Sequence, residues 1–367
     1  MKIYNMHVMD GLKQLPDASV DFIFTSPPYY NLRVYKGADT TWDTWTGQLG
    51  NEPSYEMFIE HILAVTKELS RVLKKSGTLF WNMGDSYSGP GNNHDRYIEM
   101  HTKGSRSGIH RTSQAGIPNK SLMMVPERIA IGMIGQGWIL RNKIIWYKRN
   151  AMPSSVKNRL SNKYEYVYFF TKSSQYYFDI DAIRKPVKFP GAEKAKQSTL
   201  NSKFKIATAQ DNDNGEMMNN GIAQEGYQCK YISDKHFNAF NLSKYLYVSR
   251  QKLYDKAKDL YPNDLKAQQK YVNYMRSHIT NEKGANPGDV WDIPTRPHSF
   301  SHFAVFPETL IRPFMEAGCP AGGTVLDPFA GSGTVAVVAK TLGRQSISIE
   351  ISPEYVKIIK KRCAEIL

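Results

Sequence analysis

Thr324-Val325-Leu326-Asp327-Pro328-Phe329-Ala330-Gly331-Ser332-Gly333-Thr334 runs from an apolar, β-rich tetrapeptide through a glycine turn. It leads into Val335-Ala336-Val337-Val338-Ala339-Lys340, which reads as a small apolar helix. A glycine turn between strand and helix lets a ligand approach the backbone closely, with the N–H groups of the helix start facing it. A second strand, Ser346-Ile347-Ser348-Ile349, follows and ends in Glu350. A carboxylate at that place can accept hydrogen bonds from two ribose hydroxyls. No Gly-Lys-Ser/Thr follows the glycines, which disfavours ATP, and the full GxGxxG dinucleotide pattern is absent. Together the turn and Glu350 read as an α/β ligand site rather than as tight strand–helix packing alone.

The same kind of unit stands at the other end of the chain. Gly11–Leu15 reads as a helical turn, Pro16–Ser19 as a turn, and Val20-Asp21-Phe22-Ile23-Phe24-Thr25 as a strand. From Ser54 to Leu73 the period changes to 3.6, with Phe58, Ile62, Val65, Leu69 and Val72 on one face. Lys74-Lys75-Ser76-Gly77 is expected to close that helix, and Thr78–Met83 to form the next strand. Residues 86–120 are rich in Ser, Gly, Asn and basic side chains and read as a long mobile loop. A helix near Val125–Gln136 and strands at Lys143–Lys148 and Glu165–Thr171 are expected beyond it. Residues 185–285 turn polar and Lys/Asn/Gln/Tyr-rich, as a separate module or insertion would, and order returns at Gly288.

The N-terminal strand stops at Ser26-Pro27-Pro28-Tyr29. Two prolines fix the backbone and remove two N–H groups, leaving rigid carbonyl acceptors beside Ser26. Ser26 and the Pro27 carbonyl thus converge on one small donor, such as the exocyclic amino group of a base. Its lone pair is delocalised into the ring; two acceptors pull the nitrogen toward tetrahedral geometry and localise the pair. Tyr29 supplies a flat face on which a base can stack, a contact worth about 1–3 kcal/mol in nucleic-acid sites.

The formal charge of +14 on 367 residues is unevenly placed. Residues 87–165 carry 13 Lys/Arg against 4 Asp/Glu, and residues 181–285 carry 18 against 11, so the remainder is close to neutral. Two internal basic segments suggest a partner surface for nucleic acid, where each phosphate contact releases counterions. Lysines in 230–285 alternate with Tyr231, Tyr245, Tyr247, Tyr254, Tyr261, Tyr271 and Tyr274, which suits either a DNA-facing module or that module's own core. Three widely spaced cysteines argue against a disulfide framework or zinc cluster, and His298 and His302 have no evident metal partner, so no metal is expected. No membrane-length apolar run and no N-terminal signal peptide are visible, and the expected location is the cytoplasm.

With these residues in place, the chain resembles the amino-group DNA methyltransferases that use S-adenosylmethionine, in the beta-group order where the catalytic motif precedes the cofactor motif. Thr25–Tyr29 resembles their catalytic motif and Asp327–Thr334 their cofactor loop. The resemblance implies a Rossmann-like α/β fold with a mostly parallel seven-stranded sheet, its halves permuted in sequence. Residues 1–184 would form the catalytic half, 185–285 the target recognition region and 286–367 the cofactor half. It implies catalytic roles for Ser26, Pro27, Pro28 and Tyr29. Cofactor contacts would come from Asp10, Thr25, Phe306 in the segment His302–Pro307, Asp327, Phe329, Gly331, Gly333, Thr334 and Glu350. Trp146, Lys148, Asn150 and Arg159, near Pro153, resemble the target-pocket segment, with Trp146 either a second aromatic wall of the pocket or a buried strand tryptophan. Arg106 and Arg111 of the long basic loop could clamp phosphates alongside Arg96.

The resemblance further implies double-stranded DNA as substrate, a flipped target base, a restriction endonuclease acting on the same site, and a monomer or dimer. In the family, Ser before Pro-Pro-Tyr leans toward cytosine N4 and Asp toward adenine N6, so cytosine is preferred and adenine is the alternative. Carbon-5 methylation is disfavoured because no cysteine follows a proline; Cys319 precedes one. A non-catalytic DNA-binding relative, or methylation of RNA or protein, are the readings from other classes.

Overall fold

The computed structural model describes residues 1–32, 39–42, 45–89, 116–151, 153–185, 250–278, 285–295 and 306–366. In chain order the elements are β1 (Lys2–Tyr4), α1 (Val8–Lys13), β2 (Val20–Thr25), β3 (Thr40–Trp42), β4 (Trp45–Gly47), α2 (Tyr55–Val72) and β5 (Leu73–Met83). They continue with α3 (Val125–Gly135), β6 (Ile139–Tyr147), β7 (Tyr164–Thr171), a 3-10 turn (Ile180–Ile183), α4 (Arg250–Leu260) and α5 (Leu265–His278). The last are β8 (Val290–Asp292), α6 (Glu308–Gly318), β9 (Thr324–Asp327), α7 (Thr334–Thr341), β10 (Gln345–Ile349) and α8 (Pro353–Ala364). Two compact units result: Met1–Ile183 with Gly288–Leu367, and Arg184–Pro287. No helix among the described residues is long and apolar enough to cross a membrane.

The larger unit is built on an eight-stranded sheet in the order β1-β10-β9-β2-β5-β7-β6-β8, and β3 with β4 forms a separate two-stranded ribbon. Neighbouring strands are parallel except β7, which is antiparallel to both β5 and β6. The expected mostly parallel sheet is thus present. An eighth strand joins it because Val290–Asp292 adds in parallel to β6, in the register Ile145↔Val290.

Strand β2 lies between β5 and β9, so the two ends of the chain interleave. From β9 the chain passes through α7 to β10, away from β2; from β2 it passes through α2 to β5, in the other direction. The crevice outside the carboxyl ends of β9 and β2 is therefore a topological switch point, the place where such sheets bind ligands.

Both faces of the sheet are covered, which explains why β2 and β5 are apolar on successive residues rather than on alternate ones. Ile23, Leu79 and Trp81 pack with Phe58, Ile62, Val65 and Leu69 of α2 and Ile129 and Met133 of α3. Phe22, Phe24 and Phe80 pack on the opposite side with Leu310 and Phe314 of α6 and Val335 and Val338 of α7. Phe80 stacks on Phe169 with ring centroids 4.5 Å apart.

Helix α2 starts as its sequence suggests, with Ser54 Oγ accepting from Met57 N at 3.2 Å. Its end differs. Leu73 is already extended and pairs with Val20, so the chain passes straight into β5 and Lys74–Gly77 belong to the strand. Lys74 is held there by Asp21 at 2.8 Å. Helix α1 begins at Val8, earlier than the expected turn.

In the smaller unit, the described part is the helix pair α4–α5 and a Lys185↔Ala285 bridge. Tyr261 packs on Tyr271, with ring centroids 6.2 Å apart, and Tyr271, Val272 and Ala257 are buried. Tyr261 and Tyr271 thus serve the core of that helix pair. Tyr231, Tyr245 and Tyr247 lie outside the described residues.

Candidate active site

The crevice is closed at its base by one bond. Thr25 Oγ1, at the end of β2, donates to Asp327 Oδ1, at the end of β9, over 2.8 Å and fully buried. Asp327 Oδ1 also accepts from Phe329 N at 3.1 Å, which starts the turn. Ala330 N then donates to Ile349 O (3.0 Å) and Gly331 N to Glu350 Oε2 (2.7 Å). Ser352 N holds the other Glu350 oxygen at 2.8 Å. Backbone amides on both sides therefore aim Glu350 at the turn.

The two glycines are needed for different reasons. Gly331 (φ 49°) and Gly333 (φ 79°) are both left-handed, where side chains are strained. A Cβ on Gly331 would meet nothing within 4 Å, so the space above it is open among the described residues. One on Gly333 would lie 2.8 Å from Ile359, so there the turn packs on α8. From α8, Arg362 grips the turn, donating to Ser332 O at 2.8 Å and to Thr334 Oγ1 at 3.2 Å while paired to Glu308 at 3.1 Å.

Burial pushes the carboxyls of both Asp327 and Glu350 up to about 7. Among the described residues Asp327 Oδ2 is buried with no hydrogen-bond partner. An orphaned acceptor, a second acid with spare lone pairs and open space over Gly331 suit a ligand rich in hydroxyl and ammonium donors. Asp10 stands exposed on α1, and neighbouring Gly11 packs so tightly on Ile349 that a Cβ would come within 2.7 Å of it. Phe306 lies edge-on to Phe24, centroids 5.2 Å apart; His302–Val305 lie outside the described residues.

On the other wall, Pro27 is buried and Ser26, Pro28 and Tyr29 are partly exposed. Ser26 Oγ donates to Tyr29 Oη at 3.1 Å, and Tyr29 Oη donates to Glu165 Oε2 at 3.0 Å. Gly84 admits the ring, since a Cβ there would lie 2.9 Å from Tyr29 Cε2. Ser86 Oγ donates to Tyr30 O at 2.7 Å and fastens the turn's exit.

The expected target-pocket residues divide. Lys148 approaches Tyr29 through its ion pair with Glu165 and lies 4.1 Å from the Trp146 ring centroid. Of the two readings of Trp146, the buried strand tryptophan matches its surroundings: it is 2% exposed in the sheet's second core and donates its indole N–H to Ile293 O at 2.8 Å. Asn150 is likewise engaged, with Nδ2 donating to Thr295 O at 2.7 Å and Oδ1 accepting from Thr295 N at 2.9 Å. It staples the segment after β8. The Arg159 guanidinium lies 4.0 Å from the Tyr87 ring centroid, on the exposed loop between β6 and β7. Arg96, Arg106 and Arg111 lie outside the described residues. Glu165, Asn82 and Arg362 were not singled out from the sequence. Glu165 had a signal, a lone carboxylate opening the apolar run Tyr164–Thr171.

Fold and crevice together define an α/β protein with a glycine turn beside a Pro-Pro turn at the switch point of its sheet. The chain belongs to the DNA methylase family of N6 and N4 methyltransferases, which it matches over residues 20–221 and 199–361. Type II methyltransferase M.Cfr9I of Citrobacter freundii is 30% identical over 360 residues, covering 98% of this chain and 86% of that protein. Type II methyltransferase M.SfiI of Streptomyces fimbriatus is 29% identical over 390 residues, covering 95% and 87%. Among solved structures, the PvuII DNA methyltransferase, described as cytosine-N4-specific, aligns with a TM-score of 0.51 at 18% identity. That alignment covers 98% of this chain and 85% of the other, and is a likeness of fold.

Proposed function

We propose that the chain transfers a methyl group from S-adenosylmethionine to N4 of a cytosine within a specific double-stranded DNA sequence. The observation that carries this reading is the Thr25–Asp327 hydrogen bond, which joins the Pro-Pro turn to the glycine turn at one crevice. When bound, S-adenosylmethionine supplies a methyl group made electrophilic by its sulfonium leaving group. Glu350 accepts from the ribose hydroxyls, and the open side of Gly331 gives room for the ligand to lie on the turn. Asp10, Phe306, Phe329 and Thr334 line the remainder of that subsite.

Ser26 Oγ and the Pro27 carbonyl accept the two N–H bonds of the target amino group, and Tyr29 stacks its ring. Held this way, the nitrogen lone pair is localised and aimed, so positioning and electrostatics do most of the catalysis. An amino group inside a duplex cannot reach a recessed turn, so the base flips out at a cost of a few kcal/mol. Ser rather than Asp before Pro-Pro-Tyr supports cytosine over adenine. Residues 185–285 read the target sequence, and a restriction endonuclease with the same site is the partner this reading implies.

The test is to express the chain in cells free of DNA methylation and digest their DNA to nucleosides. Mass spectrometry is expected to show N4-methylcytosine. N6-methyladenine would overturn the choice of base, and the absence of both would overturn the activity.

A further inference from the structure

The hydroxyl of Tyr29 is the centre of a hydrogen-bond chain that stacking alone does not require. Ser26 Oγ donates to it at 3.1 Å. It donates in turn to Glu165 Oε2 at 3.0 Å, with Asn82 Oδ1 as a second acceptor at 3.3 Å. Asn82 Nδ2 donates to Glu165 Oε2 at 3.3 Å and to Tyr166 O at 3.0 Å. The second oxygen of Glu165 is paired with Lys148, which rests over the buried Trp146 ring. Four segments thus converge on one carboxylate: the Pro-Pro turn, the end of β5, the start of β7 and the residue after β6.

We propose that Glu165 is a positioning residue that sets the direction of the Ser26 proton through Tyr29, so that Ser26 presents only lone pairs to the target amino group. This rests on the reading of Ser26 as acceptor for that group. A serine hydroxyl can face an incoming N–H with a lone pair or with its own proton, and the second orientation repels the substrate. An ionised carboxylate only accepts, so it draws the Tyr29 proton toward itself in a charge-assisted bond. Tyr29 Oη is then left with lone pairs on its other side and takes the Ser26 proton. The chain is directional from end to end, and polarisation along it makes Ser26 a better acceptor. Lys148 offsets the carboxylate's charge on the side away from Tyr29.

Glu165→Gln keeps the shape and breaks the direction. Its amide can donate to Tyr29 Oη, which frees the Tyr29 proton to turn toward Ser26 and the Ser26 proton to face the substrate. Single-turnover transfer of labelled methyl from S-adenosylmethionine to DNA that the wild type modifies is the readout. The expected rate loss for Glu165→Gln is about 10–100-fold, below the roughly 100–1,000-fold for loss of a preorganised contact to the reacting atoms, because Glu165 acts through Tyr29. Dissociation constants for DNA and for the methyl donor are expected to stay within about twofold, because the substitution keeps the side chain's shape and leaves the Tyr29 stacking face and the glycine turn in place.

Tyr29→Phe keeps the stacking face, removes the hydroxyl and is expected to lose a similar factor. The double variant Tyr29→Phe/Glu165→Gln is expected to be no slower than Tyr29→Phe, since coupled sites are non-additive. A wild-type rate for Glu165→Gln, or multiplied losses in the double variant, would overturn the proposal. If Glu165→Gln does not fold, Tyr29→Phe decides: a wild-type rate overturns the relay and a loss with unchanged DNA affinity supports it. A wild-type protein that methylates no DNA would instead sink the proposed function.

Discussion

The two walls of the crevice are built by opposite means. The glycine-turn wall is mostly backbone: Phe329, Ala330 and Gly331 spend their N–H groups within one strand–turn–helix–strand unit, on Asp327, Ile349 and Glu350. The Pro-Pro wall has given up two of its N–H groups and depends on side chains. Ser26, Tyr29, Asn82, Lys148 and Glu165 come from places up to 139 residues apart, and each orients the next. A backbone-built wall tolerates changes of side chain except where a Cβ intrudes. A side-chain-built wall fails wherever one link is cut.

The largest expected effect breaks the first wall by its backbone. Gly331→Val puts a β-branched side chain at φ 49° and fills the open space over the turn. Isothermal calorimetry is expected to show loss of S-adenosylmethionine affinity by at least about 100-fold, because backbone strain and lost ligand space add. An unchanged affinity would mean that the ligand does not lie on this turn.

The second wall breaks differently. Tyr29→Ala removes both the relay hydroxyl and the stacking face, and is expected to lower the methyl-transfer rate by a further factor of about 10 beyond Tyr29→Phe, the value of a lost base stack. Affinity for the methyl donor should be unaffected, and if both parameters fell together the two walls would not be separate in function.

A pH series sharpens the comparison, because the two acids raised to about 7 stand on the glycine-turn wall. Burial raises the carboxyls of Asp327 and Glu350 to about 7, so near pH 6 both are largely protonated. Ligand hydroxyls need the ionised acceptor, so binding releases a proton and affinity rises with pH. Between pH 8 and pH 6 the dissociation constant is expected to increase by up to about tenfold. A profile flat across this range would separate these acids from ligand binding. The same burial means that the protonated acids favour the folded state, so this contribution to stability is lost as pH rises through 7.

The smallest effect concerns Trp146. Trp146→Phe leaves Ile293 O without its 2.8 Å donor and is expected to cost about 1–3 kcal/mol in denaturant unfolding. The methyl-transfer rate should not change, and a rate loss without a stability loss would return Trp146 to the pocket.

What was legible in the sequence follows from how local its causes are. Val20–Thr25 and Thr324–Asp327 are strands with the bounds read from their apolar runs, and Ser54 caps α2 where the period changes. The end of α2 was misread because Lys74–Gly77 resembles a helix stop, while pairing of Leu73 with Val20 in a neighbouring strand decides otherwise. Trp146 and Asn150 were read from their place in a motif, while their hydrogen-bond partners, Ile293 and Thr295, stand about 145 residues away and leave no local signal.

From residue order alone came the two turns, the elements that carry them and the chemistry each could support. These depend on prolines, glycines and short apolar runs, whose conformational preferences act within a few residues. Tertiary structure settled that β2 lies beside β9, that Thr25 reaches Asp327, and that Tyr29 donates to Glu165. Strand order and ion pairing are contests among distant segments for the same partner, and burial on both faces of the sheet decides them.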